Sequence, residues 1–484
     1  MDNRTFKLKQ FSYFLYPFLV VIIGYFTYFN NFQNPPKQFW DENYHIASAQ
    51  KYLDGTMYME PHPPLGKLLI AFGEYLVDPN ENLNIKHFNQ TDYIKKFPKN
   101  YSFEGVRLFP ALFALFNGLL FFFILYFIIK NRFLAFLFSS LYLFDNAMIV
   151  HSRAAMLESI QMFFILASVL YFLYMVLNGK LKLSNYLILS LLIGLNVSVK
   201  LNGLIMVLLF VYLFITEYKE SFLKVLGKIS AGFGMIVIVF ILIMYIHVSL
   251  GKNIPTHKTY NASKEYKAII HNNATSNIAN FYIMLQDNIR YMANYSKGVP
   301  RYNPCKKNGE NGSLAYTWPF GNKAISYRWE KDNDKVKYLY LISNPLIWFL
   351  GILSVGLSTI LIGSKYIYSL NVKSSDTFKL ILFFTFCYFS YMFVMVKIDR
   401  VMYLYHYFIP LVFSLILSAL VFSYMFEEYI KKSDKTLFIS VFIIAAAVFI
   451  TYYHFSPLTY YEGIDYNSFL QRIWFEHWQL KAIR

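Results

Sequence analysis

The chain is 484 residues long, 56% hydrophobic, 20% aromatic and only 15% charged, with a formal net charge of +17. Soluble domains carry about 25% charged residues, so this composition excludes a disordered chain, a nucleic-acid module and a cytosolic globular enzyme. The surplus of Lys and Arg fits the cytoplasmic loops of a membrane protein, and the two cysteines, Cys305 in a polar loop and Cys387 in an apolar run, leave no disulfide framework and no Cys-based metal site.

Charge-free apolar runs lie at 10–36, 108–129, 133–144, 159–179, 183–199, 201–216, 229–251, 338–364, 380–396, 401–426 and 436–461. A bilayer core takes about 20 helical residues, and the pattern predicts an all-α polytopic membrane protein with about eleven transmembrane helices. Asp145 interrupts the run at 133–144, whose apolar character resumes through Val150. Runs 183–199 and 201–216 are short and only Lys200 divides them, which leaves two tight spans or re-entrant segments as alternatives. The first run reads as a retained anchor, because Asn34-Pro35-Pro36 follows it in place of a small-residue cleavage site. With the N-terminus inside, the short inner segments hold sixteen Lys and Arg against four in the short outer turns, which predicts an N-in/C-out topology.

The chain reads as a single integral membrane domain over 1–484. Two polar segments, 31–104 and 252–337, and a tail at 462–484 then face outside. Residues Leu65, Leu68, Leu69, Phe72 and Leu76 recur at helical spacing after Pro63-Pro64, which predicts an amphipathic interfacial helix over 65–76. The tail at 466–480 carries Leu470, Ile473, Trp474 and Trp478, a second interfacial candidate with aromatic anchors.

Polar side chains are costly near lipid, so those at the outer ends of the runs are informative. Phe39-Trp40-Asp41-Glu42 follows the first run. These are either two solvated juxtamembrane acids or a carboxylate base with a second carboxylate orienting a substrate. His62-Pro63-Pro64-Leu65-Gly66-Lys67 is a proline-initiated helix start, or a rigid turn that pins the loop beside those acids. Arg107, Arg153 with Glu158, and Lys200 stand where topology disfavours cations. Singly each is a snorkelling anchor; together they suit an anionic headgroup such as a phosphate. Asp399-Arg400 precedes Tyr405-His406-Tyr407, in which His406 is a structural residue or a ligand-binding one. There is no zinc spacing, Walker loop or G-x-G-x-x-G, which speaks against nucleotide-driven transport.

Taken together these motifs resemble the protein O-mannosyltransferases, multispan glycosyltransferases of the GT-C type. The resemblance runs from Trp40-Asp41-Glu42 and the His62–Lys67 motif through Gly105-Val106-Arg107-Leu108, Ser152-Arg153-Ala154-Ala155-Met156-Leu157-Glu158-Ser159, Ser198-Val199-Lys200 with Gly203, Trp318-Pro319, Asp399-Arg400-Val401-Met402-Tyr403 with His406, and the Trp474, Phe475 and Trp478 tail. It implies transfer of mannose, with inversion, from a polyprenyl-phosphate carrier to Ser or Thr of an acceptor protein. It also implies Asp41 as the base, with Glu42, His62, Arg107, Arg153, Glu158, Lys200, Trp318, Arg400 and His406 binding substrate. Glu158 stands where the family usually has Asp, and Asn202 where it has an aromatic or apolar residue. The second external loop is too short for the β-trefoil insertion of eukaryotic members, which implies a bacterial-type enzyme of the cytoplasmic (inner) membrane with its active site outside. No cofactor is implied beyond the lipid-linked donor, and a divalent cation at the Asp41-Glu42 pair stays open, as does the oligomeric state. The partners implied are the donor, the acceptor protein and membrane lipid, with no nucleic acid. Two alternatives remain: a related transferase acting on lipid A with aminoarabinose, and a transporter, although the latter predicts midplane polar residues and a repeat that the sequence lacks.

Overall fold

The computed structural model describes residues 3–219, 221–303, 311–373 and 375–483; Cys305 lies outside the described residues. In chain order the helices are α1 (Asn3–Gly24), α2 (Glu42–Leu53), α3 (Leu65–Val77), α4 (Glu104–Ile129), α5 (Arg132–Leu143), α6 (Asn146–Ser152), α7 (Glu158–Leu177), α8 (Leu183–Val199), α9 (Leu208–Glu217), α10 (Phe222–Ser249), α11 (Lys264–His271), α12 (Phe281–Tyr295), α13 (Pro345–Tyr366), α14 (Asp376–Lys397), α15 (Phe408–Met425), α16 (Glu427–Lys431), α17 (Lys435–Tyr460) and α18 (Tyr466–Leu470). Their starts are written in the sequence. Asn131 accepts from Leu134 N, Ser375 from Phe378 N and Asp434 from Leu437 N, while Asn344 caps α13 with Pro345 in its first turn.

Among the described residues seven helices are long and apolar enough to cross a membrane, or eight if α5 and α6 form one bent span. The protein is therefore a multi-pass membrane protein. The other apolar runs form shorter helices, Tyr13–Phe29, Leu183–Val199 and Leu201–Glu217. The second of the two short runs opens as a 3-10 turn, Leu201–Val207, before α9. The run at 133–150 bends by 65° between α5 and α6. Asp145 sits in the break, where it accepts from Met148 N at 2.9 Å and from Trp348 Nε1 at 2.7 Å. A buried carboxylate needs such partners, and they hold the kink.

The chain folds as two compact units: 1–30, 115–151 and 300–484 form one, and 31–114 and 152–299 the other. The first contains a small antiparallel sheet of β1 (Ile325–Asp332), β2 (Lys335–Leu341) and β3 (Gly463–Ile464), in the order β1-β2-β3. The tail packs on this sheet. Trp478 is buried with Tyr338, Phe455 and Phe469, and Lys323 N and Ala324 N donate to the carbonyls of His477 and Trp478. Trp478 is thus a core residue, not the interfacial anchor that the sequence suggested, whereas Trp474 is half exposed.

In the second unit α2 and α3 pack together around a core of Ile46, Ile70, Phe88, Tyr101, Phe103 and Met284. The apolar stripe expected along α3 divides. Leu65, Leu68 and Leu69 turn to the core, while Phe72 and Leu76 are exposed with Tyr75. Gly66 shows how closely α3 is seated: a Cβ there would come 2.7 Å from Leu157 Cδ2 and 3.2 Å from Val199 Cγ1, so a larger residue would push those side chains aside.

Candidate active site

The 31–114 part of the second unit is organised around a buried ion pair. Arg107, in the first turns of α4, donates through Nε to Glu42 Oε1 at 2.7 Å and through Nη2 to Glu42 Oε2 at 2.8 Å. Its remaining N–H groups go to the carbonyls of Gln33, Pro35 and Lys37. Every donor of the guanidinium fork is used within the protein. Glu42 is equally occupied, because Phe39 N and Ala155 N also donate to its carboxylate. Neither side chain is exposed to solvent. This corrects two expectations. Arg107 is not presented to a phosphate, and Glu42 is not presented to an acceptor. They brace the loop that runs from the first apolar run into α2.

Asp41 stands at the end of that braced loop. Its carbonyl begins α2 by accepting from Tyr44 N at 3.0 Å, but its side chain does not cap the helix. Trp40, just before it, has a φ of 52°. This left-handed backbone is unusual for a bulky residue and is held in place by its surroundings. The turn leaves Asp41 half-buried and its carboxylate uncommitted to the helix start.

Lys200, at the end of α8, meets Glu158 Oε1 at 2.5 Å, and both are mostly buried. Arg153 donates to the carbonyl of Asn31 at 2.7 Å. The turn after Lys200 is tied to α7 by Gln161, which donates to the Lys200 carbonyl and to Asn202 Oδ1 at 2.8 Å. Asn202, which departs from the family pattern, thus has a local use. Gly203 is required because a Cβ there would lie 2.6 Å from Asn196 Oδ1.

A second brace escaped the sequence reading. Buried Lys67 of the His62–Lys67 motif pairs with Glu60, and Ser48 of α2 donates to the same carboxylate at 2.5 Å. Glu60 lies two residues before His62. An acid so close to the motif was the available signal, but its partner across a proline turn was not legible. Burial, then the charges of Lys200 and Lys67, push the His62 imidazole well below its usual pKa. His62 therefore stays neutral at pH 7 and can donate or accept a hydrogen bond.

Trp318, Arg400 and His406 lie in the other unit. Trp318 is wholly buried, donates to Ser313 Oγ at 2.9 Å and stacks with His406 at 6.0 Å between ring centroids. It is a core residue and is not exposed for substrate, contrary to the expectation. His406 accepts from Tyr403 N in a capping arrangement. Arg400 is half-buried, with no hydrogen bond or ion pair among the described residues. No three His, Cys, Asp or Glu side chains among the described residues are grouped to hold a metal ion.

Known proteins resemble this chain in sequence and in fold. The family model described as dolichyl-phosphate-mannose-protein mannosyltransferase matches residues 18–251, and the one described as the C-terminal four TMM region of protein-O-mannosyltransferase matches residues 291–478. Among curated relatives, protein O-mannosyl-transferase 2 of Danio rerio is 29% identical over 31% of this chain and 19% of its own length. The corresponding protein of Drosophila melanogaster is 23% identical over 50% of this chain and 34% of its own length. Dolichyl-phosphate-mannose–protein mannosyltransferase 5 of Candida albicans is 26% identical over 35% and 23%. The matched segments thus span between about a fifth and a third of these relatives. The fold is shared with the S. cerevisiae protein O-mannosyltransferase Pmt1-Pmt2 complex bound to the sugar donor, at a TM-score of 0.79 and 15% identity, covering 96% of this chain and 92% of that chain. The fold and the matched family models define a membrane-embedded glycosyltransferase. The chain belongs to the protein O-mannosyltransferase family.

Proposed function

We propose that this chain transfers a mannosyl residue from a polyprenyl-phosphate carrier to Ser or Thr hydroxyls of proteins at the outer face of the cytoplasmic membrane, with inversion at the anomeric carbon. The observation that carries the reading is the join between family and site. Two models of one family account for 18–251 and 291–478, and within the first the Glu42–Arg107 brace ends on Asp41. The relatives named for dolichyl-phosphate-mannose support a lipid-linked donor.

In this reading Asp41 takes the proton of the acceptor hydroxyl as its oxygen attacks the anomeric carbon. The bond from that carbon to the phosphate oxygen breaks, and the electron pair leaves with the polyprenyl phosphate. A hydroxyl is a poor nucleophile at pH 7, and a positioned carboxylate contributes about 10²–10⁴ in rate. Lys200 and Arg153 are the cations of this unit proposed to meet the developing phosphate charge.

The test is transfer itself. Membranes containing the chain, supplied with radiolabelled polyprenyl-phosphate mannose, are expected to move label into protein. Asp41→Asn, close in size to the original, is expected to lose at least a hundredfold in turnover with an unchanged melting temperature. Label entering lipid A, or no product at all, would overturn the reading, and near-normal turnover of purified Asp41→Asn protein would remove Asp41 from the mechanism.

A further inference from the structure

Tyr44 and Tyr93 form a built aromatic shelf one helical turn from Asp41. Tyr44 N donates to the Asp41 carbonyl, so its side chain leaves the first turn of α2 beside the proposed base. The Tyr93 ring lies 4.9 Å from the Tyr44 ring at 65°, an edge-on pair. The shelf is fixed from below. Asn43 Nδ2 donates to the Ile94 carbonyl at 2.5 Å and Ile94 N returns to the Asn43 carbonyl at 3.4 Å, which ties the 91–94 segment to the start of α2. Buried Lys51 holds the preceding residues, with Nζ at 2.6 Å from the Thr91 carbonyl and 2.7 Å from Asp92 Oδ1. Asp92 also takes Lys258 and the Tyr260 hydroxyl.

Asn43, Lys51 and Ile94 are buried and the rings are not. Tyr44 is 44% exposed and Tyr93 43%, as is Tyr295 at the end of α12. The charge of Asp41 reaches both Tyr44 and Tyr295. Two rings held rigidly at the surface already lack the freedom that binding would remove, so contact with a ligand costs little further entropy. The carboxylates whose charge reaches the Tyr44 ring are Asp41 and Asp92. An uncharged polypeptide backbone suits this surface, because its amides can meet a Tyr hydroxyl while its side chains rest on the rings. The cations proposed for the phosphate, Lys200 and Arg153, stand on other elements.

We propose that the Tyr44–Tyr93 shelf is the acceptor subsite, seating the polypeptide on either side of the Ser or Thr that Asp41 deprotonates. This deepens the mannosyltransferase reading and rests on it for the role of Asp41.

The test begins without donor. Fluorescence anisotropy of a labelled, uncharged Ser/Thr-containing peptide is followed on the purified full chain in detergent. Tyr44→Ala and Tyr93→Ala are each expected to weaken binding roughly tenfold, the loss typical of an aromatic anchor. Tyr44→Phe keeps most of the affinity, and Tyr282→Ala, an exposed tyrosine elsewhere on α12, leaves it unchanged. With donor added, the acceptor KM rises by the same factor and the donor KM holds. A benzophenone-bearing peptide, cross-linked to wild-type protein, is expected to map to 41–48 and 91–95, a readout that needs no variant. Wild-type affinity in both Ala variants, cross-links only elsewhere, no peptide binding by wild type, or a donor KM that moves in place of the acceptor KM would overturn the assignment. Peptide that binds through the shelf but receives no mannose would leave the subsite standing and refute the donor reading.

Discussion

Arg107 and Glu42 form a two-pronged ion pair, Nε to Oε1 at 2.7 Å and Nη2 to Oε2 at 2.8 Å, with both side chains wholly buried. They come from elements 65 residues apart in the chain. The pair joins the start of α4 to the start of α2, and the guanidinium gathers three loop carbonyls besides. It is the scaffold on which Asp41 stands.

A scaffold loses stability before it loses substrate. Arg107→Gln leaves the Glu42 carboxylate buried without its cation, a change that costs about 3–5 kcal/mol in comparable pairs. The expected result is a large fall in melting temperature, with activity lost in step. Arg107→Lys keeps the charge but not the fork, and is expected to recover little. A raised donor KM at unchanged melting temperature would instead place the guanidinium on the donor.

The Lys200–Glu158 pair behaves differently because water reaches part of it. Both side chains are still mostly buried, so each of Lys200→Gln and Glu158→Gln leaves a charge without its partner and is expected to lower the melting temperature, by less than Arg107→Gln because the remaining charge can reach water. Lys200→Gln is expected to raise the donor KM several-fold, while Glu158→Gln releases the ammonium and leaves the donor KM level or lower. Equal stability losses in both variants, with kinetics untouched, would reduce the pair to a turn clasp.

Glu74 predicts a pH dependence. Burial pushes its carboxyl up to about 7, against a hydrogen bond from Asn80 that acts the other way. A raised folded-state pKa means that the folded protein holds a proton which the unfolded chain has lost. Stability therefore falls as pH rises from the ordinary carboxyl range to about 7, and the full penalty, roughly 3 kcal/mol, is in place above that. Melting temperature measured from pH 5 to 8 is expected to decline, and Glu74→Gln to flatten the decline. A wild-type curve as flat as that of the variant would show that Glu74 ionises normally.

The proposed orientation makes a separate prediction. Reporter fusions after Lys130 and Lys432 are expected to read cytoplasmic, and insertions in 80–100 external. An external signal after Lys130 would reverse the topology and move the Asp41 site to the wrong face for an external acceptor.

Several features were legible in the sequence because they depend on local order. The apolar runs follow from composition along the chain. The start of α3 follows from Pro63-Pro64, and the break near Asp145 from one acid in an apolar run. The Asp41-Glu42 pair was visible as a cluster, since two acids at a membrane edge are costly wherever they point. What each acid does was not visible. A cation or carboxylate at the outer end of a span has the same sequence signature whether it faces ligand, lipid or another side chain. Only the tertiary structure turned Glu42 onto Arg107, Lys200 onto Glu158, Lys67 onto Glu60, and the 91–94 segment onto Asn43. It also buried Trp318 and Trp478, which read as site and interface residues. The reason is physical. Hydrophobic periodicity acts over a few residues, whereas a buried ionic group is satisfied by whichever partner the folded chain brings within about 3 Å, and that partner is chosen by packing between distant segments.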